Sequence, residues 1–82
     1  MTRYFFHLRD GSDAVLDPEG VELADLEAAQ NAALTAARDT LSHDIKQGFI
    51  DLRYRIDVED EHGEVLHSLP LAQAFSVTES EE

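Results

Sequence analysis

The stretch Asp51-Leu52-Arg53-Tyr54-Arg55-Ile56-Asp57-Val58-Glu59 decides the fold. Apolar and charged residues alternate along it with the two-residue period of a half-buried strand. The alternation turns Leu52, Tyr54, Ile56 and Val58 toward a core and Arg53, Arg55, Asp57 and Glu59 away from it. Asp60-Glu61-His62-Gly63 supplies turn residues, and residues 64–69 return as the partner strand of a hairpin. Pro70 ends that ladder because it has no amide hydrogen to donate. Beyond it, residues 71–75 read as a short turn or helical piece, with Phe75 packing back on the core. Ser76-Val77-Thr78 has the composition of an added edge strand, and residues 79–82 form an acidic, frayed tail.

Upstream, residues 26–47 contain neither Gly nor Pro and are rich in Ala, the strongest helix former. Leu26, Ala29, Ala33, Leu34, Ala37, Leu41 and Ile45 recur at helical spacing and form one apolar stripe. Asp25 precedes the stripe as an N-cap, and Gly48 follows it as a C-terminal stop. Small alanines let such a helix lie close on a sheet.

Nearer the start, Arg3-Tyr4-Phe5-Phe6-His7-Leu8-Arg9 reads as an aromatic strand. Its period sets Tyr4, Phe6 and Leu8 on one face and Arg3, Phe5, His7 and Arg9 on the other. Asp10-Gly11-Ser12-Asp13 is a turn, residues 14–17 return as a short strand, and Asp17-Pro18-Glu19-Gly20 turns again. Val21-Glu22-Leu23 then leads to the helix. The order is ββαββ, which predicts a two-layer α+β fold: an antiparallel sheet with one helix packed on one face. Residues 1–78 make a single domain and 79–82 its tail.

Arg3-Tyr4-Phe5-Phe6-His7-Leu8-Arg9-Asp10-Gly11 and Asp17-Pro18-Glu19-Gly20-Val21-Glu22-Leu23, with Tyr54-Arg55-Ile56-Asp57-Val58 and Leu69-Pro70-Leu71 later, resemble a known family. It comprises small bacterial proteins of alphaproteobacterial type, grouped as a domain of unknown function, that begin with such a Tyr-Phe-Phe-His stretch. Ala24 stands where that family often has proline, a departure at the start of the helix. The resemblance implies a compact intracellular domain and carries over no activity, cofactor or site residue.

Composition sets the outer limits. The 82 residues include 18 Asp+Glu against 6 Lys+Arg, a net charge of -12, and no cysteine. A chain of this length buries only about 60–65% of its unfolded surface and holds a single core. Without cysteine it has no disulfide, thiolate metal site or thiol nucleophile, and the absence fits a reducing cytoplasm. No apolar run reaches the ~18 residues of a membrane helix. The acidic balance repels polyanions and argues against duplex DNA as a partner.

The candidate chemistry is sparse. His7, His43, His62 and His67 contain no pair at i and i+4, so a metal site would need His7 and His67 on neighbouring strands. Around Asp10-Gly11-Ser12-Asp13 the glycine comes too early for an EF-hand loop, and hairpin chemistry uses the same residues. There is neither a nucleophile elbow nor a phosphate loop. No cofactor and no catalytic residue are expected.

The outward sheet face is the informative feature. Arg3, Phe5, His7, Arg9, Arg53 and Arg55 gather there as a candidate interaction surface, with four of the 6 basic residues among them. Aromatic and arginine side chains are enriched at protein interfaces, and they also stack single-stranded RNA. The flanking acids argue against RNA, and cross-strand ion pairs on a solvated face are the plainest account. The reading is a non-enzymatic interaction module of the bacterial cytoplasm that forms a homodimer through the uncovered sheet face or an edge strand. The alternatives are an acidic regulator that binds a basic site on a protein partner through Asp57, Glu59, Asp60, Glu61 and Glu64, and, least favoured, a small enzyme or metal protein.

Overall fold

The structure, a computed structural model, describes residues 1–80. Strand β1 (Thr2–Arg9) is followed by two short strands, β2 (Ala14–Val15) and β3 (Val21–Leu23). Helix α1 (Leu26–Lys46) leads to the hairpin β4 (Arg55–Glu59) and β5 (Val65–Pro70), and a single 3-10 turn (Leu71–Gln73) closes the order. The sheet runs β2-β1-β4-β5, with β3 also paired to β1, and every pairing is antiparallel. The two-layer α+β arrangement therefore holds, with five strands rather than four. The additional strand, β3, has three residues, too short for its alternation to be distinctive.

Local chemistry accounts for the boundaries. The Asp25 side chain accepts from the Ala28 amide at 2.9 Å and starts the helix. At the other end Gly48 takes φ +93°, its amide bonds to the Ile45 carbonyl, and the Phe49 amide reaches the Asp44 carbonyl. Those two bonds form a Schellman stop. In the first turn Asp10 Oδ1 accepts from the amides of Ser12 and Asp13, and in the second hairpin Asp60 Oδ1 accepts from those of His62 and Glu64.

The core lies between sheet and helix. Tyr4, Ile56 and Val58 are buried from the sheet side, and Ala29, Ala33, Ala37 and Leu41 from the helix side. Leu71 and Ala74 seal one end, where the Arg38 Nε donates to the Ala74 carbonyl at 2.9 Å. Phe6, Leu8, Tyr54 and Phe75 pack against this cluster. The strand parity expected for β1 and for residues 54–58 is the one observed.

Three expectations are corrected. The strand expected from residue 51 starts at Arg55, and Leu52 is 47% exposed instead of inward. Both neighbours of β4 give out at that point, since Arg9 of β1 and Pro70 of β5 are both opposite Arg55. Asp51 also bends its own segment, accepting from the Arg53 amide at 3.0 Å. Ile45 is exposed although it belongs to the apolar stripe. Twenty-one helical residues span about 32 Å, whereas the eight residues of β1, the longest strand, span about 26 Å, so the helix overhangs the sheet. Residues 76–78 form no strand. Of the expected tail, Glu79 and Ser80 are exposed, and Glu81 and Glu82 lie outside the described residues.

Candidate functional site

The uncovered face is built where β1 and β4 run side by side. Phe5, His7 and Arg9 stand opposite Glu59, Asp57 and Arg55. Two arginines directly opposite each other repel. Asp57, one pleat along, relieves the conflict: Oδ2 accepts from Arg9 at 2.9 Å and Oδ1 from Arg55 Nε at 3.1 Å. The Ser68 hydroxyl, across on β5, donates to the same Oδ1 at 2.6 Å. The Arg9 guanidinium extends further along the strand and also pairs with Glu59.

These contacts invert the expected role of the acids. Asp57 is 3% exposed and Glu59 8%, the two charged residues among the buried ones. Burial, the largest influence, pushes the Asp57 carboxyl up, but hydrogen bonds from Ser68, Arg9 and Arg55 together outweigh it and hold the group below the ordinary carboxylate range. Arg9 is driven the other way, above its ordinary value, first by its bond to Asp57 and then by its bond to Glu59. Among the described residues, no buried side-chain nitrogen or oxygen lacks a partner.

His7 belongs to the same surface. Its Nδ1 accepts from the Asp17 amide at 3.0 Å, so the ring proton sits on Nε2, 3.6 Å from Glu59 Oε1 and beyond hydrogen-bond length. The ring stacks on Phe5 with centroids 6.2 Å apart and planes at 12°. Asp17 in turn bridges the gap between β2 and β3. Its carboxylate accepts from the amides of Phe6, Glu19 and Gly20, standing in for the missing ladder bonds. Burial raises the Asp17 carboxyl, and those amides bring it to a net position below its ordinary value. Gly20 has φ +72° and lies where a Cβ would come 2.9 Å from the Tyr4 carbonyl oxygen and 3.0 Å from the Phe5 ring. This close approach admits no larger residue.

Of the six expected surface residues, Phe5, His7, Arg9 and Arg55 come together. Arg3 lies toward the β3 edge, donating to the Glu19 carbonyl at 2.7 Å and lying 3.5 Å from Glu22. Arg53 is off the sheet, in the loop before β4, bidentate to Asp51 at 3.0 and 2.8 Å. That grip holds the Asp51 carboxyl down at about 2. The basic cluster is thus three sheet arginines and one loop arginine, each with an acidic partner. With Asp57 and Glu59 buried and Asp60 holding its turn, Glu61 and Glu64 remain as the free acids of the second hairpin.

His7 and His67 do not meet. β4 separates their strands, and His7 is opposite Asp57 on the open face while His67 is opposite Val58 on the helix side. Among the described residues, no group of three or more His, Asp or Glu is placed to hold a metal ion, and no helix is long and apolar enough to cross a membrane. Sequence reasoning missed the structural duty of Asp57, Glu59 and Asp17. Acids at 57 and 59, on the strand of Arg55 and beside a strand carrying His7 and Arg9, were the available signal for the first two.

No curated protein and no solved structure matches this chain. A family described as Domain of unknown function (DUF6894) matches residues 3–72, which cover both hairpins, the helix and the sheet apart from its first residue, Thr2. The chain belongs to that DUF6894 family.

Proposed function

We propose that this protein is a non-enzymatic interaction module of the bacterial cytoplasm that works as a self-associated pair. One observation carries the reading: the core is thin while apolar surface is plentiful. Four of the nine buried core residues are alanines (Ala29, Ala33, Ala37 and Ala74). Larger side chains stand substantially exposed, among them Val15, Leu16, Ile45, Phe49, Leu52 and Val65. A domain this small without cysteine for a disulfide draws stability from association when its own core is modest. The open face supports the non-enzymatic part, because its titratable groups bind one another instead of lining a cleft.

Sedimentation equilibrium across protein concentration tests the proposal. A mass rising toward twice 9.2 kDa is expected. Because each copy carries a net charge of -12, association through apolar surface tightens as salt screens the repulsion. A fixed monomer mass up to millimolar protein contradicts the proposal. Binding to a basic protein that is lost on raising salt favours the acidic-regulator reading instead.

A further inference from the structure

We infer that the free edge of β5 is the seam at which two copies of this chain join, an inference that rests on the self-association proposed above. The two edges of the sheet differ in kind. On one side β2 and β3 are two and three residues long and interrupted by residues 16–20, with Asp13 before them, Asp17 and Glu19 between them and Glu22 within β3. Short, interrupted and charged strands are how sheet edges are protected from pairing. The other edge, β5, is six residues long, and no further strand pairs with it among the described residues.

Charge distribution identifies the occupant. From Val65 to Thr78 there are 14 consecutive residues without Asp, Glu, Lys or Arg, the longest such run in a chain of net charge -12. Two copies repel almost everywhere else on their surfaces. Along this edge they meet least repulsion, and an identical strand in antiparallel orientation offers matching backbone donors and acceptors. A basic partner would gain nothing from this uncharged edge.

The ends of the strand fix the register. A bulge opposite Val58 and Glu59 disturbs pairing at Val65 and Leu66, and Pro70 lacks an amide hydrogen. A two-fold axis through Ser68, perpendicular to the sheet, centres the seam on the regular segment and keeps opposed side chains on the same face. It sets Ser68 opposite its own copy and His67 of one copy opposite Leu69 of the other, both on the helix side. The sheet then continues from β2 of one copy to β2 of the other, with both helices on the same side.

Hydrogen–deuterium exchange on the wild-type protein, from low micromolar to near-millimolar concentration, reads this seam directly. Amides within residues 66–69 are expected to gain protection as the dimer fills, while those of β2 and β3 do not change. Val65→Lys combined with Leu66→Lys is expected to weaken the dimer by about tenfold or more with the circular dichroism of the wild type. A dimer whose β5 amides exchange independently of concentration overturns the inference. So does a dimer that survives the double lysine variant but is lost in Phe5→Ser, which assigns the contact to the open face. Either result leaves self-association standing, whereas a wild type that remains monomeric removes the self-association reading itself. If the lysine variant does not fold, the exchange experiment on the wild type still decides.

Discussion

The two faces of this sheet are made by the same strands, residue by residue in alternation, yet they solve opposite problems. Beneath the helix, Tyr4, Ile56 and Val58 are buried by apolar packing against alanines. On the uncovered side, Asp57 and Glu59 are almost as thoroughly buried, with side chains rather than a second helix layer covering them. Arg9, Arg55, Ser68 and His7 form that cover. A small antiparallel sheet can therefore close its second face with a charge-matched layer of its own. The arginines that made this face resemble a docking surface are largely occupied in doing so.

Charge should be tolerated very differently on the two sides, and the sharpest contrast comes from the helix side. Val58→Asp buries an unpaired carboxylate where the wild-type residue is fully enclosed. It should destabilise by about 4 kcal/mol, seen as loss of the cooperative urea transition. On the open face, Arg9→Met leaves Asp57 and Glu59 in place without their shared cation. Arg9 is 27% exposed and Asp57 retains Arg55 and Ser68, so the expected loss is smaller, about 2 kcal/mol by urea denaturation. Equal effects from the two substitutions would erase the difference between the two faces.

Acid probes the same contrast without mutation. Asp17 and Asp57 are held below 3.8 when folded and titrate near 3.8 when unfolded. The unfolded chain then binds more protons in acid. Their contribution is complete above about pH 4 and is lost as pH falls through the folded values. The urea midpoint should hold from neutrality to about pH 4 and decline below it, and the decline should be shallower in Asp57→Asn. The smallest effect belongs to Arg53, whose pair with Asp51 is solvated and away from both faces. Arg53→Ala should leave the melting temperature unchanged within error.

Much of this arrangement could be read from alternation alone. Strand parity at residues 4–8 and 54–58, the caps at Asp25 and Gly48, and both hairpin turns follow from local chemistry, which needs no knowledge of neighbours. Ladder length was not local. Residues 51–53 alternate as well as 55–59, but no strand lies opposite them once β1 turns at Asp10 and β5 ends at Pro70. The exposure of Ile45 likewise depends on the relative lengths of helix and sheet. The candidate surface was legible as a cluster of basic residues and not as a closed network, because closure depends on strand order. Only with β4 between β1 and β5 can Asp57 receive Arg9 from one side and Ser68 from the other.

With the second face closed by its own charges and the first by the helix, the remaining apolar surface lies at the edge and beyond the sheet. Under the proposed self-association, one copy of this chain is energetically incomplete. Thermal unfolding followed at several protein concentrations tests this most directly, since association with the folded state alone makes the midpoint depend on concentration. A melting temperature that climbs steadily as protein is added is expected. A midpoint identical at every concentration would contradict it.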